Sequence, residues 1–238
     1  MRAIYLKLFL VVMLVLWVSR PSTGAVVNYS ISGGQNSLIT GILGTTSFTN
    51  ATWRVSATAD NSFIHEFTSN NGSYDIPIRV LPNTGPATLE IFDGGMVYTA
   101  ILIPNPGFQY VVVTADFAND PMLAGSQGAG ILHWDLGGNL EYGAGLLAGG
   151  NVGGTEGLFD SLTNLGSYSG GLTFFFDDQD IEFIPTSAGD LTVISRFGDL
   201  QGGVWQAGVP EPSSMAIFGI ATLGLAYRGG RRLKALKI

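Results

Sequence analysis

The chain has 238 residues, contains no cysteine and carries a formal charge of −7 at pH 7. Without cysteine, it can form neither a disulfide framework nor a cysteine-ligated zinc site. The stretch 26–209 holds three arginines, no lysine and seventeen carboxylates, a formal charge of −14. A domain this acidic repels phosphate backbones, so we expect no nucleic-acid partner.

The first 25 residues have the three parts of a secretory signal peptide. Two basic residues open the segment, and an unbroken apolar run follows from Leu8 to Val18. Pro21 then precedes small residues that end at Ala25. Because the apolar run is shorter than a comfortable membrane span, we predict a signal peptide over 1–25, with cleavage after Ala25.

The stretch 26–207 has the pattern of short strands separated by turns. Trp53, Val55 and Ala57 alternate with polar residues, the period of a half-buried antiparallel strand. Asp93-Gly94-Gly95 between two such runs predicts a hairpin. Strands are predicted over Val27–Ser32, Ser37–Leu43, Ala51–Ala57, Ser62–Thr68, Tyr74–Leu81, Ala87–Phe92, Met96–Ile103, Gln109–Phe117, Gly130–Asp135, Leu172–Phe176, Ile181–Ile184, Leu191–Phe197 and Gly203–Gln206. A spacing of about ten residues per strand predicts an all-β fold, an antiparallel β-sandwich or jelly-roll-like ectodomain.

The glycine-rich stretch from Leu136 to Gly171 lacks this regular spacing of strands and turns. It predicts a long loop excursion or irregular hairpins, with a helical turn around Leu158–Leu165. Gly143–Ala148 loosely matches a dinucleotide-binding fingerprint, but it lacks the strand–helix–strand context. Gly166–Gly170 has a tyrosine where a serine hydrolase would carry its nucleophile. Neither motif predicts catalysis.

The densest group of carboxylates is formed by four of the six residues from 177 to 182, namely Asp177, Asp178, Asp180 and Glu182. Carboxylate oxygens are preferred ligands of calcium, and two interpretations stay open: a calcium site and a solvated acidic turn. Adjacent acids on one turn cannot by themselves place two carboxyl groups across a sugar ring, which disfavours a glycosidase.

Two further sets of residues are candidate binding groups. His133 and Asp135 share one face of a predicted strand, but a metal site needs at least three ligands, so an ordinary strand histidine is favoured. Trp53, Trp134 and Trp205 would stack on sugars if they were exposed, although a tryptophan in a strand is more often part of the core.

A second three-part segment spans 208–238. It begins with Pro210-Glu211-Pro212, where the prolines prevent strand pairing and leave an accessible linker. An apolar run predicts a short transmembrane helix over 214–227, and a basic cluster follows: Arg228, Arg231, Arg232 and Lys234. Basic residues prefer the cytoplasmic face, as do those of the signal peptide, so residues 26–209 are predicted to lie outside the inner membrane.

The order of these three parts, a motif, an apolar run and a basic cluster, resembles the PEP-CTERM sorting signal of Gram-negative bacteria. Pro210, Glu211 and Pro212 correspond to its motif. The resemblance implies recognition and cleavage by an exosortase, a membrane-embedded cysteine peptidase, in hosts that make exopolysaccharide. It also implies export through an inner-membrane intermediate to the cell surface or extracellular matrix. A permanent anchor would need an apolar run closer to 20 residues.

Taken together, the sequence predicts an exported, non-catalytic surface or matrix protein with an adhesive or structural role. The alternative is a carbohydrate-binding jelly-roll module that uses calcium at 177–182, and a polysaccharide-active enzyme is less favoured. The expected partners are an exosortase-like peptidase, the inner membrane and exopolysaccharide. No cofactor other than calcium is expected.

Overall fold

The computed structural model describes residues 25–34, 37–70, 74–121, 123–135, 140–149, 157–170, 172–177, 183–197 and 202–208. Within these stretches the chain forms fourteen β-strands in two sheets, and every strand pairs antiparallel to its neighbours. The all-β antiparallel sandwich predicted from the sequence is confirmed.

The two sheets divide the strands unevenly. The first sheet contains β1 (Val26–Ser32), β2 (Leu38–Leu43), β3 (Thr46–Asp60), β6 (Ala87–Asp93), β7 (Met96–Leu102), β11 (Gly166–Ser169), β13 (Leu191–Phe197) and β14 (Val204–Gly208). Its order is β11-β14-β1-β3-β2-β13, with β6 paired to β3 and β7 to β6. The second sheet contains β4 (His65–Asn70), β5 (Asp75–Pro82), β8 (Phe108–Asp116), β9 (Ser126–Asp135), β10 (Leu140–Gly149) and β12 (Leu172–Asp177), in the order β12-β10-β9-β8-β5-β4.

Strand β3 organises the first sheet because it pairs with three other strands. Its first part, up to Ala51, pairs with β2, and its later part pairs with both β1 and β6. Asn50 lies at this change of partner with a φ of 50°, a left-handed conformation that asparagine tolerates better than most residues. The predicted hairpin between β6 and β7 is confirmed, and Gly94 and Gly95 take positive φ angles in its turn.

The core lies between the sheets and is built from large side chains. Trp53 on β3, Trp205 on β14 and Tyr29 on β1 are each at most 1% exposed, and Ile131 and Leu146 contribute from the second sheet. Burial of apolar surface stabilises a fold by roughly 25 cal/mol per Å². The expectation of core tryptophans is therefore confirmed for Trp53 and Trp205.

Of the two forms predicted for Leu136–Gly171, the loop excursion is wrong for the described residues, whereas the irregular hairpins fit the antiparallel pairing of β10 with β9, whose register shifts between Leu140 and Tyr142. Residues Leu140–Gly149 form β10, which lies inside the second sheet between β9 and β12. Gly166–Ser169 form β11 at an edge of the first sheet. The strands were missed because the glycines of β10 conceal its period. The predicted helical turn is confirmed as a 3₁₀ turn over Phe159–Leu162.

Two other strand predictions need correction. Ser62–Thr68 was predicted as one strand, but Asn61–Phe63 form a 3₁₀ turn and β4 begins at His65. The cause is local: the Asp60 carboxylate accepts a hydrogen bond from the Ser62 backbone N–H at 2.9 Å and caps the turn. Of the predicted strand Ile181–Ile184, residues 181 and 182 lie outside the described residues, and Ile184 makes an isolated bridge to Leu191.

Arg79 fastens the 3₁₀ turn at 159–162 to the second sheet. Its Nε donates to Glu66 Oε1 at 2.7 Å, and its Nη1 donates to Asp160 Oδ1 at 2.5 Å. The guanidinium carbon also lies 4.2 Å from the centre of the Phe159 ring. The side chain is 20% exposed, and these contacts join β5, β4 and the 3₁₀ turn.

Tyr29 should make folding stability sensitive to alkaline pH. Its hydroxyl donates to the Leu162 carbonyl at 3.1 Å, and burial, with a smaller contribution from the Asp60 carboxylate, raises its pKa. A raised pKa in the folded state means that stability is fully present below about pH 10 and falls above it. Tyr29→Phe should lose about 1 kcal/mol at neutral pH and flatten the alkaline decline. Urea unfolding from pH 8 to 11 measures both effects. If the free energy of unfolding fell equally steeply with pH in the parent and in Tyr29→Phe, the role of Tyr29 would be contradicted.

Candidate binding face on the first sheet

The outward face of the first sheet is polar across five strands. Register places Ser167, Gln206, Ser30, Ser56 and Thr88 side by side, one from each of β11, β14, β1, β3 and β6. Their chain neighbours Tyr29, Val55 and Trp205 point into the core. Because side chains alternate along a strand, the serines, the glutamine and the threonine form one row facing solvent. We call this outward surface the polar face.

A second row adds charge to the polar face. Arg54 on β3 lies opposite Glu90 on β6, and the Arg54 Nη1 is 3.3 Å from the Glu90 Oε2. The Arg54 guanidinium also lies 5.5 Å from the centre of the Phe92 ring. These side chains remain accessible, at 46% exposed for Arg54 and 27% for Glu90, so the pair contributes little to stability. It presents a donor group and an acceptor group to solvent.

The polar face contains a shallow depression of about 360 Å³. Its floor is formed by small residues of β1 and β3, including Asn28, Ser30 and Ser56, and larger groups rise at its margins, including Arg54, Pro86 and Gln206. Hydroxyl, amide, guanidinium and carboxylate groups therefore converge on one concave surface. Such a set can exchange hydrogen bonds with a polar polymer, but it offers no activated nucleophile beside a base.

The polar face has no contiguous signature in the sequence. Its residues come from strands far apart in the chain, from Asn28 to Gln206, and only the pairing of β1 with both β14 and β3 brings them together. One signal was available: Gly166-Ser167-Tyr168-Ser169 alternates with period two, which is typical of a strand. It was passed over because it lies inside a glycine-rich stretch.

The carboxylates predicted as a calcium site are not brought to the polar face by any described contact. The backbone of Asp177 closes β12, whereas Asp178, Asp180 and Glu182 lie outside the described residues. Among the described side chains, no group of three or more histidines and carboxylates is placed to hold a metal ion. The calcium interpretation of 177–182 stays a prediction.

His133 belongs to the packed interior of the second sheet. Its ring stacks on Phe108 at 4.7 Å, and its Nε2 accepts a hydrogen bond from the Asn105 backbone N–H at 3.0 Å. The side chain is fully buried. This supports the ordinary strand histidine, because the Nε2 lone pair is already used. The side chain of Asp135 is outside the described set.

Of the three tryptophans that the structure describes, Trp134 is the one that is not fully enclosed. Its ring meets the Phe67 ring edge-on, with the centroids 5.9 Å apart, and it is half-buried. It lies on β9, in the sheet opposite the polar face. These three tryptophans therefore supply no stacking platform beside the depression.

The predicted cleavage residue Ala25 is the first described residue. Its backbone N–H donates to Asn61 Oδ1 at 2.9 Å, and its carbonyl accepts from the Asn61 N–H at 3.2 Å. The rest of the predicted signal peptide lies outside the described residues, as do the sorting motif Pro210, Glu211 and Pro212 and the basic residues Arg228, Arg231, Arg232 and Lys234. Among the helices in the described stretches, none has the length and apolar character that crossing a membrane requires. The predicted helix 214–227 is not among them.

The fold and the polar face define the class of this protein: an antiparallel β-sandwich with a solvent-facing polar surface. Residues 208–232 match the family model of the PEP-CTERM protein-sorting motif, so the chain carries the C-terminal sorting motif that its sequence predicts. The motif implies export and membrane-associated processing by an exosortase. No curated protein and no solved structure matches the chain. The match covers the sorting segment, and the function of the sandwich must be argued from its own residues.

Proposed function

We propose that this protein is a non-catalytic component of the cell surface or extracellular matrix and that its sandwich acts by adhesion. The observation that carries the proposal is the polar face, where Ser30, Ser56 and Thr88 are aligned across neighbouring strands. A regular array of hydroxyl and amide groups suits repeated, individually weak hydrogen bonds to a long polar partner. It does not supply the paired acid and base that hydrolysis of a glycan requires.

The second candidate is a carbohydrate-binding module, and the depression favours it. Its margins hold a hydrogen-bond donor group on Arg54, an acceptor group on Glu90 and an amide on Gln206, which together can address sugar hydroxyls. Because residues 26–209 carry a formal charge of −14, a neutral polysaccharide is favoured over an anionic one. Calcium bound at 177–182 would relax that preference by offsetting the charge.

Gln206→Ala should weaken polysaccharide binding, because it removes an exposed amide from the polar face at the margin of the depression. Loss of one hydrogen-bonding side chain corresponds to roughly a three- to tenfold higher Kd. Gln109→Ala, which removes the same amide from the second sheet, is the matched control and should bind as the parent does. Isothermal titration with a neutral and an anionic polysaccharide, each with and without calcium, measures the effect.

The outcomes of this titration separate the candidates. Equal binding by both variants would remove the polar face from the proposal. Binding of the anionic polymer only with calcium, and its loss in Asp178→Ala, would favour the calcium-dependent module. Release of reducing ends during incubation would contradict the non-catalytic role.

A further inference from the structure

The polar face ends at β7 in a group of exposed apolar side chains. Register pairs Ala87 on β6 with Leu102 on β7, and both of these residues belong to the core. Their chain neighbours Pro86, Ile101 and Ile103 therefore point to the outward side of the first sheet. Pro86 is exposed, and Ile101 and Ile103 are 44% and 45% exposed. We call these three residues the apolar margin.

A second depression, of about 330 Å³, lies beside the apolar margin and is lined by Pro86, Ile101 and Ile103 among others. Its described lining residues include no aspartate, glutamate, lysine or arginine. Gln109 also borders it, but register pairs Gln109 with Trp134, so this side chain lies on the outward side of the second sheet. Pro86 borders the depression of the polar face as well, so the two depressions adjoin at this proline.

The backbone beside the apolar margin is already hydrogen-bonded. The Ile101 N–H donates to Ser187 Oγ at 2.9 Å, and the Ile101 carbonyl accepts from the Ser187 N–H at 2.8 Å. The Ile103 N–H donates to the Pro185 carbonyl at 2.9 Å. Addition of a further peptide strand needs free backbone groups at the edge of a sheet. Because these groups are used here, the margin offers apolar side-chain surface to a ligand.

We infer that the second depression is a subsite for a methyl group on a sugar of the bound polysaccharide, either the methyl of an acetyl ester or that of a deoxy sugar. The inference rests on the proposed binding of a polysaccharide at the polar face. A sugar hydroxyl placed against Ile101 and Ile103 would give up its hydrogen bonds to water, whereas burial of a methyl group there is favourable.

The sizes and the charge of the two depressions agree with a polymer that lies across both. Ligand pockets usually have volumes of about 300 to 1,000 Å³. Depressions of about 360 Å³ and about 330 Å³ are therefore each suited to a small part of a ligand. The formal charge of −14 over residues 26–209 disfavours an anionic polymer, and neither an acetyl ester nor a deoxy sugar adds charge.

Two neutral polysaccharides test the inference with the purified full chain in detergent. The first is acetylated glucomannan, and the second is the same polymer after its acetyl groups have been removed by mild alkali. Burial of one methyl group corresponds to about a fourfold lower Kd, so the parent should bind the acetylated polymer about fourfold more tightly in isothermal titration. Competition by L-fucose and by L-galactose distinguishes the two sources, because L-fucose is the deoxy form of L-galactose and carries the methyl group.

A double substitution places the preference in the second depression. Ile101→Thr combined with Ile103→Thr replaces the apolar ends of both side chains, so this variant should bind the two polymers equally. Ile194→Thr is the matched control, because Ile194 on β13 is 64% exposed and borders neither depression. It should keep the preference of the parent. Gln206→Ala should weaken binding of both polymers by the same factor, and circular dichroism checks that all variants fold.

Three results would overturn the inference. The first is equal binding of both polymers by the parent, with no advantage of L-fucose over L-galactose; this would remove the methyl subsite and leave the proposed function in place. The second is loss of the preference in Ile194→Thr to the same extent as in the double variant. The third is a parent that binds neither polymer, which would contradict polysaccharide binding at the polar face and the methyl subsite together.

Discussion

Removal of residues 210–238 is expected to move the protein from the membrane fraction to the soluble fraction without unfolding it. The deleted segment holds the sorting motif, the apolar run and the basic cluster, which together are predicted to hold the exported chain at the inner membrane. The last described strand, β14, ends at Gly208, so the deletion removes no described strand and no described core residue. The sandwich should therefore keep its thermal stability.

Cell fractionation and immunoblotting measure this result. Glu211→Ala is the matched control, because it alters the motif and leaves the apolar run in place. This variant should stay in the membrane fraction, and its mass should be that of the protein with an uncleaved tail. The parent protein should be smaller, because its tail is cleaved. A truncated chain that remained membrane-bound would contradict the assignment of membrane retention to this segment. A processed Glu211→Ala chain would contradict only the role of the motif.

Trp205→Ala should cause a large loss of stability. Trp205 is fully buried on β14, and its ring lies 5.8 Å from that of Tyr29. Truncation of a large buried aromatic side chain destabilises a protein by about 3–5 kcal/mol. The substitution should also weaken the pairing of the neighbouring strands, because β14 lies between β11 and β1.

Trp134→Ala is the matched control for this substitution. Trp134 is half-buried on an outer surface, so its removal should lose about 1 kcal/mol, mainly from its contact with Phe67. Urea unfolding followed by circular dichroism compares the variants. Similar free energies of unfolding for both would contradict the placement of Trp205 at the centre of the core. Trp205→Phe should be milder than Trp205→Ala, because it keeps most of the buried ring.

The sorting segment and the fold class could be predicted from the sequence because both depend on local patterns. Pro210-Glu211-Pro212, the apolar run and the basic cluster are contiguous, so their chemistry needs no tertiary structure to be recognised. Strands such as β3 and β6 alternate with period two, which itself results from exposure of one face. Strand β3 extends beyond the predicted Ala51–Ala57 at both ends, from Thr46 to Asp60, whereas β6 matches its predicted bounds to within one residue.

The polar face could not be predicted in this way. Ser30, Ser56 and Gln206 become neighbours only through the register of β1 with β3 and β14, and register is a property of distant segments. Strand β10 was missed because Gly143 and Gly145 take the outward positions where a polar residue would have marked the period.

The sequence by itself determined the sorting motif, the acidic character of the middle of the chain and its β-rich class, since each follows from composition or from spacing of a few residues. Tertiary structure alone decided which strands are neighbours, and so which outward side chains form the polar face. The physical reason is that the backbone N–H and C=O groups of one strand are hydrogen-bonded by strands far away in the chain. Which side chains lie next to each other on a sheet face depends on all of these pairings together.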